Sequence, residues 1–214
     1  TASDFAFTTD EVAHLFREVL DKEIALDDAQ HLANLTEGWA AALVLMADKV
    51  EASRTAITLE QLRDSDTLFR YMSMEQFDPL PADVREFLTG SAILRYFDEA
   101  KVNELLGITD TSEKLNYLDH RNLFVVRQGQ GEYRYHHLYR AFLVSKVRTQ
   151  DPARFQALNQ KAGEIMERSE NWEEAVYHFI QVSAWDRIVK IAENVGWRMF
   201  EEGHWDTLSD WLEA

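Results

Sequence analysis

One short run of this chain is built for a β-hairpin, and it limits the folds the rest can join. LFVVR (123–127) is apolar and β-branched, QGQG (128–131) is a turn, and EYRYH (132–136) returns as a second strand. Around it the pattern is helical. Three prolines and eight glycines in 214 residues leave few helix breaks. Leu68–Phe77 reads as a helix. Pro81 opens another at the favoured first position, with Val84, Phe87 and Leu88 on one face. A third over 99–106 ends at Gly107, and Asp110 and Glu113 open a short fourth that carries Leu115 and Leu118. After the hairpin a helix runs from Leu138 to about Val147. The last three of these four helices, the hairpin and the helix after it are in the order of a winged-helix module, expected over 67–150.

Both flanks are helical. Thr8 with Glu11 forms a capping-box pattern, followed by Val12, Leu15, Phe16, Val19 and Leu20 at helical spacing. Asp27 and Gln30 repeat the start signal before Leu32 and Leu35. Gly38 should interrupt the chain ahead of a helix over Ala41–Val50, where Ala40, Ala41 and Ala42 allow close packing. Residues 51–66 read as a polar connector, so 1–66 form a first helical segment. From 151 to 214 the stretches NWEEAVYHFI, AWDRIVKIAE and HWDTLSDWLE each pair a Trp with an acidic residue. Trp172 and Trp205 are separated by nearly one tetratricopeptide-like period. Such units bury their apolar faces only by stacking. The expected fold class is mainly α: a helical segment, a winged helix with one hairpin, then a tetratricopeptide-like repeat. The start without methionine and the end just after a second unit begins suggest a fragment of a longer protein.

Composition excludes several functions. The chain has no cysteine, which removes disulfides, thiol chemistry and cysteine-based zinc sites. No apolar run reaches membrane-spanning length, and TASDFAFTTDE is not a signal peptide, so a cytoplasmic protein without membrane contact is expected. The net charge of −16 argues against nucleic-acid binding by the whole chain, although 81–150 is near neutral. In the helix before the hairpin, Lys114 and Arg121 are balanced by Asp110, Glu113 and Asp119, and the turn QGQG is uncharged. Neither GxxxxGK[ST] nor GxSxG occurs, so no catalysis is expected.

The stretch YRYHHLYRAFL (133–143) sets two histidines between strand and helix. A metal pair is disfavoured, because adjacent strand residues point to opposite faces. LTEGWAAALVLMA (35–47), LPADVREFLTGSAIL (80–94), RNLFVV (121–126) and YRYHHLYRAFL resemble, in this order, segments of MalT-like transcription regulators. These are ATP-dependent members of the LuxR group and of the STAND class of signalling NTPases. The resemblance covers most of the chain and implies its central part. The partners it implies are a P-loop nucleotide-binding domain elsewhere in the same chain, a small-molecule or protein inducer at the helical repeat, and DNA only through a C-terminal helix-turn-helix absent here. ATP or ADP would be the full protein's cofactor, with none bound tightly by this segment alone.

The resemblance also implies site residues. GWAAAL (38–43) is similar to a Gly-Leu-Pro-Leu-Ala-Leu segment beside adenine, with Gly38 on its glycine, Trp39 on its leucine and Ala40 on its proline. YHHLYRAFL is similar to a Met-His-Asp segment whose histidine reaches nucleotide phosphates. His136 falls on that histidine and His137 on the aspartate. From the residues alone, His136 is either a phosphate contact or a buried histidine bonded to a backbone carbonyl, with His137 a structural neighbour. Trp39 is either a core aromatic or an adenine neighbour. Three functions follow: a nucleotide-state relay, a nucleotide-independent interaction adaptor, and, least favoured, direct DNA binding by the winged helix.

Overall fold

A computed structural model describes residues 6–52, 66–121, 124–129, 131–201, 203 and 205–213. They are mainly helical, with one two-stranded antiparallel sheet among the described residues. The chain divides into two compact units: 1–86 with 112–143, and 87–111 with 144–214.

Helix α1 (Thr9–His14) begins with the capping box seen in the sequence. The Thr8 hydroxyl accepts from the Glu11 N–H, and the Glu11 carboxylate accepts from the Thr8 N–H at 2.8 Å. The helix continues as a wide π turn, Leu15–Val19. That turn shifts the helical phase, so Phe16 is buried while Val19, expected on the same apolar face, is 69% exposed. Helix α2 (Leu26–Thr36) starts one residue before the expected signal at Asp27, without a side-chain cap. Asp27 and Asp28 instead lie in its first turn, where carboxylates suit the positive helix end. The break expected at Gly38 is present. Glu37 and Gly38 take φ of 47° and 72°, and α3 (Ala40–Ala52) follows, longer at both ends than Ala41–Val50. Residues 53–65 of the expected connector lie outside the described residues.

Helix α4 (Asp66–Tyr71) runs into a second π turn, Met72–Phe77. Helices α5 (Ala82–Ser91), α6 (Glu99–Leu106) and α7 (Thr111–His120) then precede strands β1 (Val125–Gly129) and β2 (Glu132–Tyr135) and helix α8 (His137–Gln150). This is the winged-helix order read from the sequence. Val125 pairs with Tyr135, Val126 with Arg134, Arg127 with Tyr133 and Gly129 with Glu132, leaving a bulge at Gln128. The bulge and the φ of 97° at Gly129 carry β1 into the expected QGQG turn. Strand β2 stops at Tyr135, one residue early, although the His136 N–H still reaches the Phe124 carbonyl at 2.8 Å. Phe142 of α8 packs edge-on against Phe69 and Phe77, with centroids 5.6 and 5.8 Å away.

The second unit holds α9 (Pro152–Arg168), α10 (Trp172–Gln181), α11 (Trp185–Glu201) and α12 (Trp205–Glu213). The side chains of Asp151 and Asn171 cap α9 and α10. Helices α9 and α11 begin 33 residues apart (152 against 185), as do α10 and α12 (172 against 205). Two helix pairs therefore share one period. Within the first pair, buried Asn159 bonds His178 at 3.0 Å.

Two glycines with nearly equal positive φ, 72° at Gly38 and 69° at Gly107, give a controlled comparison. A Cβ on Gly38 would lie 2.5 Å from the Phe7 nitrogen, whereas one on Gly107 (φ 69°) would meet nothing within 4 Å. Gly107→Ala should cost only the left-handed backbone penalty, roughly 1–2 kcal/mol. Gly38→Ala should cost that plus the clash, roughly 3 kcal/mol or more. Denaturant unfolding of the two variants checks the order.

Candidate functional site

The last carbonyls of any helix lack partners within it. At the end of α2 the backbone supplies only some of them. The Gly38 N–H bonds the Ala33 carbonyl at 2.9 Å, and the Trp39 N–H bonds the Thr36 carbonyl at 3.0 Å. The Glu37 N–H bonds the Asn34 carbonyl at 3.3 Å. The partner of the Leu35 carbonyl, and a second donor to Thr36, come from residues about 100 positions later, at the junction between β2 and α8.

His136 is buried, with 7% of its surface exposed. Its Nε2–H donates to the Thr36 carbonyl at 2.7 Å, and its Nδ1 faces the Leu138 N–H at 3.3 Å. A ring that donates from Nε2 and accepts at Nδ1 is the neutral tautomer. Burial holds its pKa down to about 4, against the partial support of the nearby Glu37 carboxylate. The His136 backbone is held on both sides: its N–H bonds the Phe124 carbonyl and its carbonyl accepts from the Arg140 N–H, each at 2.8 Å.

His137 has the opposite surroundings. Its Nδ1 lies 2.7 Å from the Glu37 Oε1, and its Nε2 bonds the Leu35 carbonyl. Both partners are acceptors, one a helix-end carbonyl and the other a carboxylate. The two rings stack with centroids 4.9 Å apart and planes 17° apart.

Glu37 is the hub. The Arg134 fork holds its carboxylate with three N–H···O contacts of 3.0–3.1 Å. His136 Nε2 lies 4.0 Å from the same group. Burial alone would raise the Glu37 pKa, but the bonds from His137 and Arg134 outweigh it and hold it down to about 2. The left-handed backbone at Glu37 costs roughly 1–2 kcal/mol, so the carboxylate is positioned against a local preference.

The structure thus brings the candidates Gly38, Trp39 and His136 into one cluster. Trp39 lies 6.0 Å from the His136 ring and 4.8 Å from Phe124, edge-on to both, and 6.2 Å from Tyr71. In this conformation His136 has the buried, carbonyl-bonded role, and Trp39 packs as an aromatic neighbour of Phe124 and His136. The Gly38 carbonyl accepts from the Phe7 N–H at 2.8 Å. Ala40 follows as the first residue of α3.

Sequence reasoning missed Glu37 and Arg134, and it gave His137 too small a part. Arg134 was within reach, since residues two apart share a strand face and Arg134 is two before His136. The alternation argument against a metal pair does not hold: His137 begins α8, so the two rings lie side by side. Glu37, His136 and His137 place one ligand-type atom each within 4.8 Å of one another. What opposes a cation there is the Arg134 guanidinium on the same carboxylate, together with the hydrogen bonds that already occupy the ring nitrogens.

Residues 73–155 match the MalT winged helix domain family. The chain is similar over 95% of its length to the HTH-type transcriptional regulator MalT of Vibrio cholerae, at 29% identity. It is similar over its whole length to MalT of Klebsiella pneumoniae, at 27%, and over 94% to the serine/threonine-protein kinase PknK of Mycobacterium tuberculosis, at 28%. It spans 23%, 24% and 19% of those proteins. Fold and family match together define a winged-helix domain within the chain. More narrowly, residues 73–155 are similar to the winged helix domain of MalT, and the chain as a whole is similar to a segment of MalT regulators.

The lowered pKa values of His136 and Glu37 set a pH dependence. Unfolded His136 takes up a proton at its ordinary value of 6.5 and folded His136 at about 4. Its stabilising contribution is complete above about 6.5 and is lost as pH falls towards 4. Glu37, at about 2 against 4.5, contributes fully above 4.5 and loses that contribution below it. Among the described residues, Glu37, Arg134 and His137 are the ionisable groups facing His136. Thermal melting across pH should show stability falling from pH 7 to 4, and His136→Gln should flatten the part between 6.5 and 4.

Proposed function

We propose that this chain is the central part of a nucleotide-controlled transcription activator of the MalT type. It relays the ATP or ADP state of a P-loop domain to a helical sensor that begins near Pro152 and takes a small-molecule or protein inducer. The observation that carries this reading is the bond between His136 and the Thr36 carbonyl. It joins the winged-helix junction to the turn Glu37–Ala40, so a group that displaces either partner acts on both. A nucleotide with its adenine beside Trp39 and its phosphates beside His136 would compete directly with that bond. A ligand shifts such an equilibrium only through its different affinity for the two arrangements. In the full protein, DNA contact belongs to a C-terminal helix-turn-helix, and the location is cytoplasmic. No described helix is long and apolar enough to cross a membrane. No catalysis is assigned to this segment.

One observation favours a second reading, an adaptor that binds a protein or peptide without nucleotide. On α11, Trp185, Val189 and Trp197 are 45%, 46% and 72% exposed. Exposed aromatic surface of this kind suits a protein contact. DNA binding by the winged helix is disfavoured, since Lys114 is paired with Asp83 and Arg127 with Asp119.

In the full-length protein, His136→Ala should weaken ADP retention about tenfold, the value of one charge-assisted hydrogen bond. It should also raise transcription in the absence of inducer. Equilibrium ADP binding and a reporter assay check both, and no change in either would contradict the relay.

A further inference from the structure

Phe124 and Tyr139 form a stack that carries two separate costs. Phe124 stands just before β1 with φ 49°, a conformation that a bulky side chain rarely adopts. Three contacts pin it there. Its carbonyl accepts from the His136 N–H at 2.8 Å, Trp39 meets its ring edge-on with centroids 4.8 Å apart, and the Tyr139 ring stacks on it at 4.7 Å. Tyr139 lies in the first turn of α8 and is fully buried. Its hydroxyl has no hydrogen-bond partner among the described residues. Burial pushes its pKa above the ordinary tyrosine value, so the hydroxyl stays protonated, a donor with nothing to donate to. A buried hydroxyl without a partner forfeits the bonds it makes with water, and a phenylalanine of the same shape would not. A core chosen for stability alone would carry Phe at this position. Strain of this kind persists only where surrounding contacts hold it, and it is typical of switch regions. Here the holding contacts include the His136 backbone, at the junction that the relay reading opens.

We propose that the Phe124–Tyr139 stack is a spring loaded against the resting arrangement of the wing junction. When α8 parts from the start of β1, Phe124 relaxes to extended backbone and the Tyr139 hydroxyl reaches water. Both changes favour the opened arrangement, so the stack sets how readily the junction opens. The inference rests on the relay reading and adds to it a part that touches no nucleotide.

The test is Tyr139→Phe in the full-length protein, which keeps the ring and removes only the hydroxyl. Deuterium uptake over 136–143 reports local opening, and the rate of ADP release reports the switch. Both should slow about tenfold relative to the parent, the effect of relieving one unpaired buried hydroxyl in the closed arrangement. Unchanged or faster uptake overturns the proposal, because the hydroxyl then has a partner in the resting arrangement. Slower uptake with unchanged ADP release also overturns it, because the hydroxyl is then a packing defect with no part in the switch. If either occurs while His136→Ala still weakens ADP retention, the relay reading stands without the spring. ADP retention that responds to neither substitution removes both.

Discussion

The end of α2 depends on hydrogen bonds from side chains about 100 residues away. The carbonyls of Leu35 and Thr36 receive His137 and His136, and the carboxylate of the next residue receives Arg134. These side chains cluster where β2 passes into α8, a position fixed by the hairpin register. The first helical segment and the wing are thus joined by polar contacts of defined geometry, which can be broken or exchanged as a set. An apolar contact of equal area would give adhesion without that option, since hydrophobic burial is non-directional.

Two adjacent histidines carry out different tasks because their surroundings differ. His136 is buried between backbone groups and is neutral, so its bond to Thr36 is a neutral one. His137 lies between a carbonyl and a carboxylate and bonds both. Glu37 stays ionised because His137 and Arg134 outweigh its desolvation. Removing one member of such a set leaves another unpaired, which costs more than the bond itself contributes. Substitutions here should therefore act as a group and not additively.

The hairpin, its flanking helices and the break at Gly38 were legible in the sequence because each rests on local chemistry: β-branched runs, capping residues and a glycine that takes φ 72°. The two π turns were not, because a change of helical phase leaves no local signature; Val19 shows the consequence. The bulge at Gln128 likewise depends on pairing across the strands. Within the site, the resemblance brought out His136, Gly38, Trp39 and Ala40. Glu37 escaped notice because, read locally, it is one more acidic residue at a helix end. Its partner Arg134 is 97 positions away and only the fold brings them together. His137 was undervalued for a related reason, as strand alternation was carried one residue beyond the end of the strand.

The central claim is that the Glu37 carboxylate gathers the wing junction onto α2. A double-mutant cycle of Glu37→Gln and Arg134→Leu, read as unfolding free energy at neutral pH and low salt, tests it most directly. The account predicts a coupling of about 1 kcal/mol or more, as for a partly buried forked pair. A coupling near zero, with each single variant folded, would contradict it.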